Sequence, residues 1–370
     1  LVVYLMFKVT FALSAPLVAA VESIFSALAS SISVGSLPSL AASLLKDGII
    51  GGIGSVVVFV PLIFILFLVI AFLEDSGYLS RAVVLTDRVF QRFGITGRSL
   101  IPMILGFGCN VPAIMSGRTI KQEKERKIAM FVNPFISCSA RLPVYLIIAS
   151  IFFPGHSTLA VFSLYILGVV IAFLVSYVYS KISGKAEEAG MIIELPPYRR
   201  PNIKNVLRSG WNNTYLFLKK AGTLILVASL AVWLLASLPV GVEYGGEASL
   251  LGIIGKKMSF LFDPLGFGHW AFAVSLLFGV MAKETIISTL GALFGVGEKG
   301  LAAALPQIID APGALAFLCF VLLYIPCLAT IATVKKETGS WRFVFSQILV
   351  TFIVAWIVAY IVNQVAGWLI

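Results

Sequence analysis

The sequence predicts an all-α protein, a polytopic transmembrane helical bundle, and three observations lead there. Of 370 residues, 59% are hydrophobic and only 12% are charged, whereas a soluble domain is about 45–50% apolar and about 25% charged. Val56–Leu73 is an uncharged apolar run of 18 residues, long enough to cross a hydrocarbon core about 30 Å thick, and several such runs follow. The basic residues, finally, are segregated. Arg81, Arg88, Arg92 and Arg98 fall in one loop, and Arg118, Lys121, Lys124, Arg126 and Lys127 in a second. Lys181, Lys185, Arg199, Arg200, Lys204, Arg208, Lys219 and Lys220 lie in and beside a third, and Lys335, Lys336 and Arg342 in a fourth. These are 20 of the 27 basic residues, and the opposite loops hold only Lys46, Lys256, Lys257 and Lys299. By the positive-inside rule the four rich loops are cytoplasmic. This placement accounts for the net charge of +10 without a nucleic-acid partner. A membrane β-barrel would show ten-residue alternation instead.

The chain begins LVVYLMFK, without Met and already apolar. No basic segment and small-residue cleavage site mark a signal peptide, so the start reads as a cut from a longer chain. Crossings are expected at about 1–20, 54–76, 127–152, 158–181, 214–237, 312–334 and 342–366. The apolar segment 97–117 has basic flanks at both ends, and 269–295 has outer loops at both ends, so each is drawn as a re-entrant hairpin of two half-helices. Residues 78–93 mix apolar and basic positions at helical spacing, as an amphipathic helix on the inner surface does. The polar segment 182–210, with Pro196, Pro197 and Pro201, reads as a cytoplasmic linker.

This order contains an inverted repeat. One unit runs in at 54–76, makes a hairpin, runs out at 127–152 and returns at 158–181. The other runs out at 214–237, makes a hairpin, runs in at 312–334 and returns at 342–366. The domain expectation is therefore a first helix and outer loop at 1–53, a first repeat at 54–181, a linker at 182–213, and a second repeat with the final helix at 214–370. FISCSA (135–140) parallels YIPCLA (324–329), aligning Cys138 with Cys327. GFGCNVPAI (106–114) parallels GVMAKETII (279–287), placing Lys283 opposite Asn110. Inverted repeats with interrupted helices mark secondary transporters, whose sites lie at the repeat interface near the bilayer midplane.

The interruptions carry the chemistry. Gly106, Gly108 and Pro112 break one segment, Asn133-Pro134 and Pro143 a second, and Pro326 a third. A break frees backbone groups that are tolerated only where protein or a water-filled cavity satisfies them. Cys109, Cys138 and Cys327 each occupy a break. Thiolates suit soft or borderline transition metals and suit sodium, calcium or magnesium poorly. The expected ligands on a metal path are these three cysteines, helped by Asn110, Ser139 and freed carbonyls; the competing account is that free cysteines pack as small hydrophobes. Cys319, in the unbroken run LAFLCFVLL, is assigned to packing.

Ionisable residues inside a membrane are costly and usually functional. Arg141 either holds the broken helix through carbonyls or repels cations from a wrong path. Lys283-Glu284 is an internal ion pair that gates or that stabilises the second hairpin. Glu74-Asp75 either offers oxygens to a departing cation or caps the following amphipathic helix. Lys8 snorkels, and Glu123, Glu125 and Glu337 are expected to be solvated. His156 and His269 lie near the outer face, and nothing pairs them at metal-site spacing. Four cysteines in apolar segments are no secreted disulfide framework. H-E-x-x-H, G-x-S-x-G and the G-x-x-x-x-G-K-[ST] phosphate loop are all absent, and no nucleophile stands beside a base, which speaks against an intramembrane enzyme.

The stretches YLMFKVTF, FLEDSGYLSRAVVLTDR, IPMILGFGCNVPAIMSGRTI, FISCSARLPVY, MAKETIIS and IPCLATIATVKKETGSW resemble the membrane domain of the ferrous iron transport protein B family, FeoB. They cover nearly the whole chain, and GFGCNVPA with SCSARLPVY is the specific pair. The resemblance implies two Gate regions matching the two repeats, and membrane cysteines at Cys109, Cys138 and Cys327. It implies iron(II) as transported substrate and the prokaryotic cytoplasmic (inner) membrane as the site of action. It also implies a cytosolic GTPase domain ahead of the first crossing, which this sequence does not contain, so GTP and magnesium would act only through that domain. Small cytosolic Feo accessory proteins, membrane lipid and a homo-oligomer are the further partners implied. Competing readings keep the transporter class with manganese(II), zinc(II) or a nucleoside as substrate, or make the chain a membrane scaffold. A nucleoside site would want aromatic platforms and several amide or carboxylate partners, whereas these breaks offer thiols.

Overall fold

The computed structural model describes residues 2–31, 51–78, 97–182, 200–222 and 249–369, with positions 81, 83–85, 87, 90, 227, 230 and 234. Among the described residues every regular element is helical. In order these are α1 (Val2–Ser31), α2 (Gly51–Asp75), α3 (Leu100–Gly108), α4 (Asn110–Ser116), α5 (Glu123–Val132), α6 (Leu142–Phe152), α7 (Ser157–Ile182) and α8 (Ile203–Phe217). They continue with α9 (Leu250–Phe262), α10 (Trp270–Met281), α11 (Thr285–Leu293), α12 (Gly297–Ala304), α13 (Ala311–Leu323), α14 (Leu328–Thr338) and α15 (Trp341–Leu369).

The chain is a multi-pass membrane protein, and its burial pattern shows why. α7 turns Leu159, Phe162, Ile166, Val170, Leu174 and Val178 outward while Val161, Leu164, Gly168, Ala172, Ser176 and Ser180 face the bundle. Large apolar side chains outside and mostly small ones inside suit a lipid solvent, in which helices associate by close packing. Gly168 illustrates the closeness: a Cβ there would stand 2.8 Å from the Phe135 carbonyl oxygen. α15 likewise exposes Leu349, Ile353, Ile357 and Ile361. α7 and α15 are unbroken apolar helices long enough to span, whereas Glu123–Phe152 and Ala311–Thr338 reach that length only across a break. The deepest packing surrounds α13, where Phe262, Phe267, Phe272, Phe317 and Phe320 meet largely edge to face.

Several expectations are corrected. The outer loop holding Lys256 and Lys257 contains α9, whose two exposed lysines interrupt an otherwise apolar helix and conceal it in the sequence. α9 turns by 103° into α10 through the segment Asp263–His269. Within the segment expected as a linker, 182–213, α8 begins at residue 203. Asn202 caps α8 by accepting the Lys204 N–H at 3.1 Å, and Val206, Gly210 and Thr214, spaced four apart, turn inward where α8 packs on α2. Glu337 is not solvated: Arg118 grips it with both Nε (2.8 Å) and a terminal guanidinium nitrogen, tying the segment after α4 to α14. Glu125 is fully buried and accepts from Ser99 Oγ at 3.3 Å. Glu123 is the exposed member of the three, paired with Lys127 at 2.7 Å. Most of the amphipathic helix expected at 78–93, residues 183–199 of the linker and half of the crossing at 214–237 lie outside the described residues.

The last carbonyls of α5, before its break, have no helical partner of their own. Gln347 on α15 reaches them, donating Nε2 to Met130 O (2.9 Å) and Phe131 O (3.1 Å) while itself buried. Gln347→Leu is expected to cost about 1–3 kcal/mol, the penalty of stranding buried acceptors. The thermal-unfolding midpoint in detergent checks this, with Ser346→Ala, at the exposed neighbouring position, staying near wild type.

Candidate metal path at the helix breaks

Four breaks converge at the centre of the chain. Between α3 and α4 one residue, Cys109, is extended (φ −155°, ψ 131°). The equivalent residue between α10 and α11, Ala282, has nearly the same backbone (φ −146°, ψ 126°). Both are the positions that the GFGCNVPAI and GVMAKETII alignment pairs. The other pair agrees too: Cys138 lies at φ −80°, ψ 161° and Cys327 at φ −64°, ψ 156°. The two halves therefore repeat one another at the backbone of their breaks. Each cysteine immediately precedes a short helical segment, so its side chain stands at the mouth of a helix turn rather than along a helix flank.

The breaks survive because buried side chains hold the freed carbonyls. Asn133 Nδ2 donates to Pro102 O (2.8 Å) and Ser139 Oγ to Gly108 O (2.9 Å), joining the first break to the second. Arg141, fully buried, spans its own break by donating to Pro134 O and Ile136 O at 3.4 Å. Lys283 does the matching task in the second half: Nζ donates to Ile325 O at 2.6 Å and sits 3.3 Å from the centre of the Tyr324 ring. Tyr324 in turn donates its hydroxyl to Leu276 O at 3.3 Å. A Cβ at Gly279 would meet that hydroxyl at an impossible distance, so α10 needs glycine there to accept the ring.

These segments enclose a cavity of about 230 Å³ whose walls include Cys109, Asn110, Cys138, Ser139, Arg141, Lys283, Glu284, Cys327 and Thr330. The sequence-predicted cysteines, Asn110 and Ser139 thus come together. Asn110 Oδ1 is buried and has no hydrogen-bond partner among the described residues. Arg141 Nε is also unpartnered there. Cys327 Sγ lies 3.1 Å from Thr330 Oγ1. Among the described residues no three His, Cys, Asp or Glu side chains are gathered closely enough to cage an ion. Cys319, as expected, lies in the packed interior of α13.

Other candidates fall elsewhere. The ion pair expected between Lys283 and Glu284 does not form, because Lys283 is drawn to Ile325 O and the Tyr324 ring. Glu284 is left on the cavity wall. Pro112 does not break a helix: the break is at Cys109, and Pro112 occupies the first turn of α4, where a missing N–H costs nothing. Pro326 lies in the extended stretch before Cys327. Asp75 is not among the residues lining the cavity; its Oδ2 accepts the Asn202 N–H at 2.7 Å and ties α2 to the start of α8. Glu74 lines a second cavity of about 500 Å³ with Arg98, Arg118, Lys121 and Asn213. An apolar cluster of Ile63, Phe67, Val111 and Ala329 packs on Cys109 and Cys327. It contributes Ile63, Val111 and Ala329 to the first cavity and Phe67 to the second. His269 Nδ1 accepts the Ala271 N–H at 3.3 Å, capping α10.

Comparison with known proteins follows this geometry. The model of the Gate family, described as nucleoside recognition, matches residues 56–152 and 218–341. The chain belongs to the Gate family. The ferrous iron transport protein B C-terminus matches residues 161–213 between the two Gate regions, which bears out the resemblance to FeoB. A Staphylococcus aureus protein named Fe(2+) transporter FeoB is 45% identical over 323 residues, covering 87% of this chain and 49% of the relative. One of the same name from Methanocaldococcus jannaschii is 38% identical, covering 99% of this chain and 56% of the relative. A Porphyromonas gingivalis protein, named as a fusion of Fe(2+) transport protein A with Fe(2+) transporter FeoB, is 37% identical over 87% of this chain and 44% of its own length. This Gate chain spans about half the length of the curated relatives it matches. No solved structure matches.

If Lys283 holds the unwound stretch before Cys327, Lys283→Met should loosen that break. Alkylation of Cys327 by a maleimide, followed by mass spectrometry in detergent, is expected to quicken severalfold, whereas an unchanged rate would contradict the clamp.

Proposed function

We propose that this chain is the permease part of a GTP-regulated ferrous iron uptake system in a prokaryotic cytoplasmic membrane. The observation that carries the reading is the convergence of Cys109, Cys138 and Cys327 on one buried cavity beside the unpartnered Asn110 Oδ1. Thiol sulfur and amide oxygen together suit a borderline divalent ion. Their spread along the wall suits passage, since conduction needs sites weak enough to release what they bind. Iron(II) enters from outside and passes from sulfur to sulfur between the two repeats. It crosses the apolar cluster around Phe67 and leaves by the second cavity past Glu74. The apolar cluster is the closure that keeps ions and water from leaking when no substrate passes. The names of the relatives support iron, and the fusion protein supports a small accessory partner. A cytosolic GTPase domain, contributed by the rest of a longer protein or by a separate chain, biases the opening. The chain divides into a first helix and outer loop, two repeats and a linker between them, with α8 beginning inside the linker.

The family's description makes a nucleoside the second reading. Against it, no aromatic ring stands among the described residues lining the first cavity, and its volume is below the roughly 300–1,000 Å³ of small-molecule pockets. Manganese(II) and zinc(II) share the ligand preferences of iron(II) closely enough to compete.

Uptake of iron(II), manganese(II) and zinc(II) into anaerobic proteoliposomes, with and without an added FeoB GTPase domain, tests the reading. Saturable iron uptake is expected, lost in Cys109→Ser and Cys327→Ser and retained in Cys319→Ser. Uptake indifferent to the first two substitutions would reduce those cysteines to packing residues.

A further inference from the structure

The cavity wall holds one carboxylate among the described residues, that of Glu284. Sequence suggests that Lys283 neutralises it, but Lys283 is committed to Ile325 O and the Tyr324 ring. The other cation of the wall, Arg141, is committed to Pro134 O and Ile136 O. Glu284 forms no ion pair among the described residues. A carboxylate in a membrane-embedded cavity is expensive unless something opposes it. A second oxygen in the same wall is Asn110 Oδ1, on a residue only 5% exposed, which accepts no hydrogen bond among the described residues. The repeat alignment places these two within one position of each other, Asn110 opposite Lys283 and Glu284 next along, at breaks of matching backbone. Asn110 Oδ1, which has no donor, and the Glu284 carboxylate, which has no ion pair among the described residues, line the same 230 Å³ space from the two halves of the chain.

We infer that Glu284 and Asn110 form an oxygen-donor cation site in this cavity, distinct in chemistry from the thiols, that admits divalent ions and discriminates against soft monovalent copper(I). This rests on the cation-permease reading above. A site of sulfur alone favours copper(I) and zinc, whereas carboxylate and amide oxygens favour manganese(II) and iron(II). A carboxylate also supplies the charge that makes a divalent ion more favourable than a monovalent one at the same depth. The thiols hold the ion, and the oxygens decide which ion is held.

The test uses the full chain in detergent under anaerobic conditions. Manganese(II) binding is read from the loss of the free-ion electron paramagnetic resonance signal, and copper(I) binding by competition with a chromophoric chelator. Glu284→Gln is expected to weaken manganese(II) at least about tenfold, since even outer-shell changes cost 10–100-fold at metal sites, while copper(I) binding stays unchanged. Cys109→Ser is expected to weaken copper(I) as well. Equal loss of both ions in Glu284→Gln, or loss of neither, overturns the inference. Loss of manganese(II) in Glu284→Gln with both ions indifferent to Cys109→Ser would sustain the oxygen site and refute the thiol path. Should Glu284→Gln not fold, Glu284→Asp keeps the charge and shortens its reach. It is expected to retain part of the manganese(II) affinity, and wild-type affinity for both ions would overturn the site.

Discussion

The fold depends on one constraint, that backbone polar groups cannot stand unpaired in an apolar interior. A transmembrane helix satisfies them internally, and this chain gives up that satisfaction at four places. At the break after Met281 the donor is local, Thr285 Oγ1 on Ala282 O; at the other three it comes from another segment, Ser139 on Gly108, Gln347 on Met130 and Phe131, and Lys283 on Ile325. Because those three donors come from other segments, their breaks are also the points at which the segments are tied together. The site is the place where the bundle is held.

The two buried cations follow from this. In the passage proposed for a divalent cation, Arg141 and Lys283 look like obstacles. Their charge is directed into carbonyl oxygens on either side of a break, and Lys283 is further absorbed by the face of Tyr324. A guanidinium suits the first half, where two carbonyls must be bridged. An ammonium suits the second, where one carbonyl and one ring are to be met. The same function is carried by different residue types at positions that no residue-for-residue alignment would pair.

Much of this is legible in residue type and spacing alone. The apolar runs, the loop charges, the half-helix hairpin around Cys109 and the convergence of three cysteines all follow from them, and the matching dihedrals at Cys109 and Ala282 bear out a repeat that the residues echo only faintly. The points at which the fold departs from expectation share a cause. Lys256 and Lys257 hide α9, and three upstream prolines hide α8, because local composition cannot tell an exposed lysine on a helix from one in a loop. Glu125 and Glu337 look solvated among basic neighbours, and Lys283 and Glu284 look paired, because adjacency along the chain is a poor guide to which charge faces which.

What the sequence by itself determined is the solvent and the grammar: a chain this apolar must lie in lipid, and glycine, proline and cysteine at these spacings must interrupt its helices. Partnership was decided only by the tertiary structure. Which carbonyl Lys283 reaches, that Glu337 meets Arg118 across 219 positions, and that Asn110 and Glu284 are left facing one cavity depend on how segments distant in sequence pack. That is a property of distances in space, and no pattern along the chain records it.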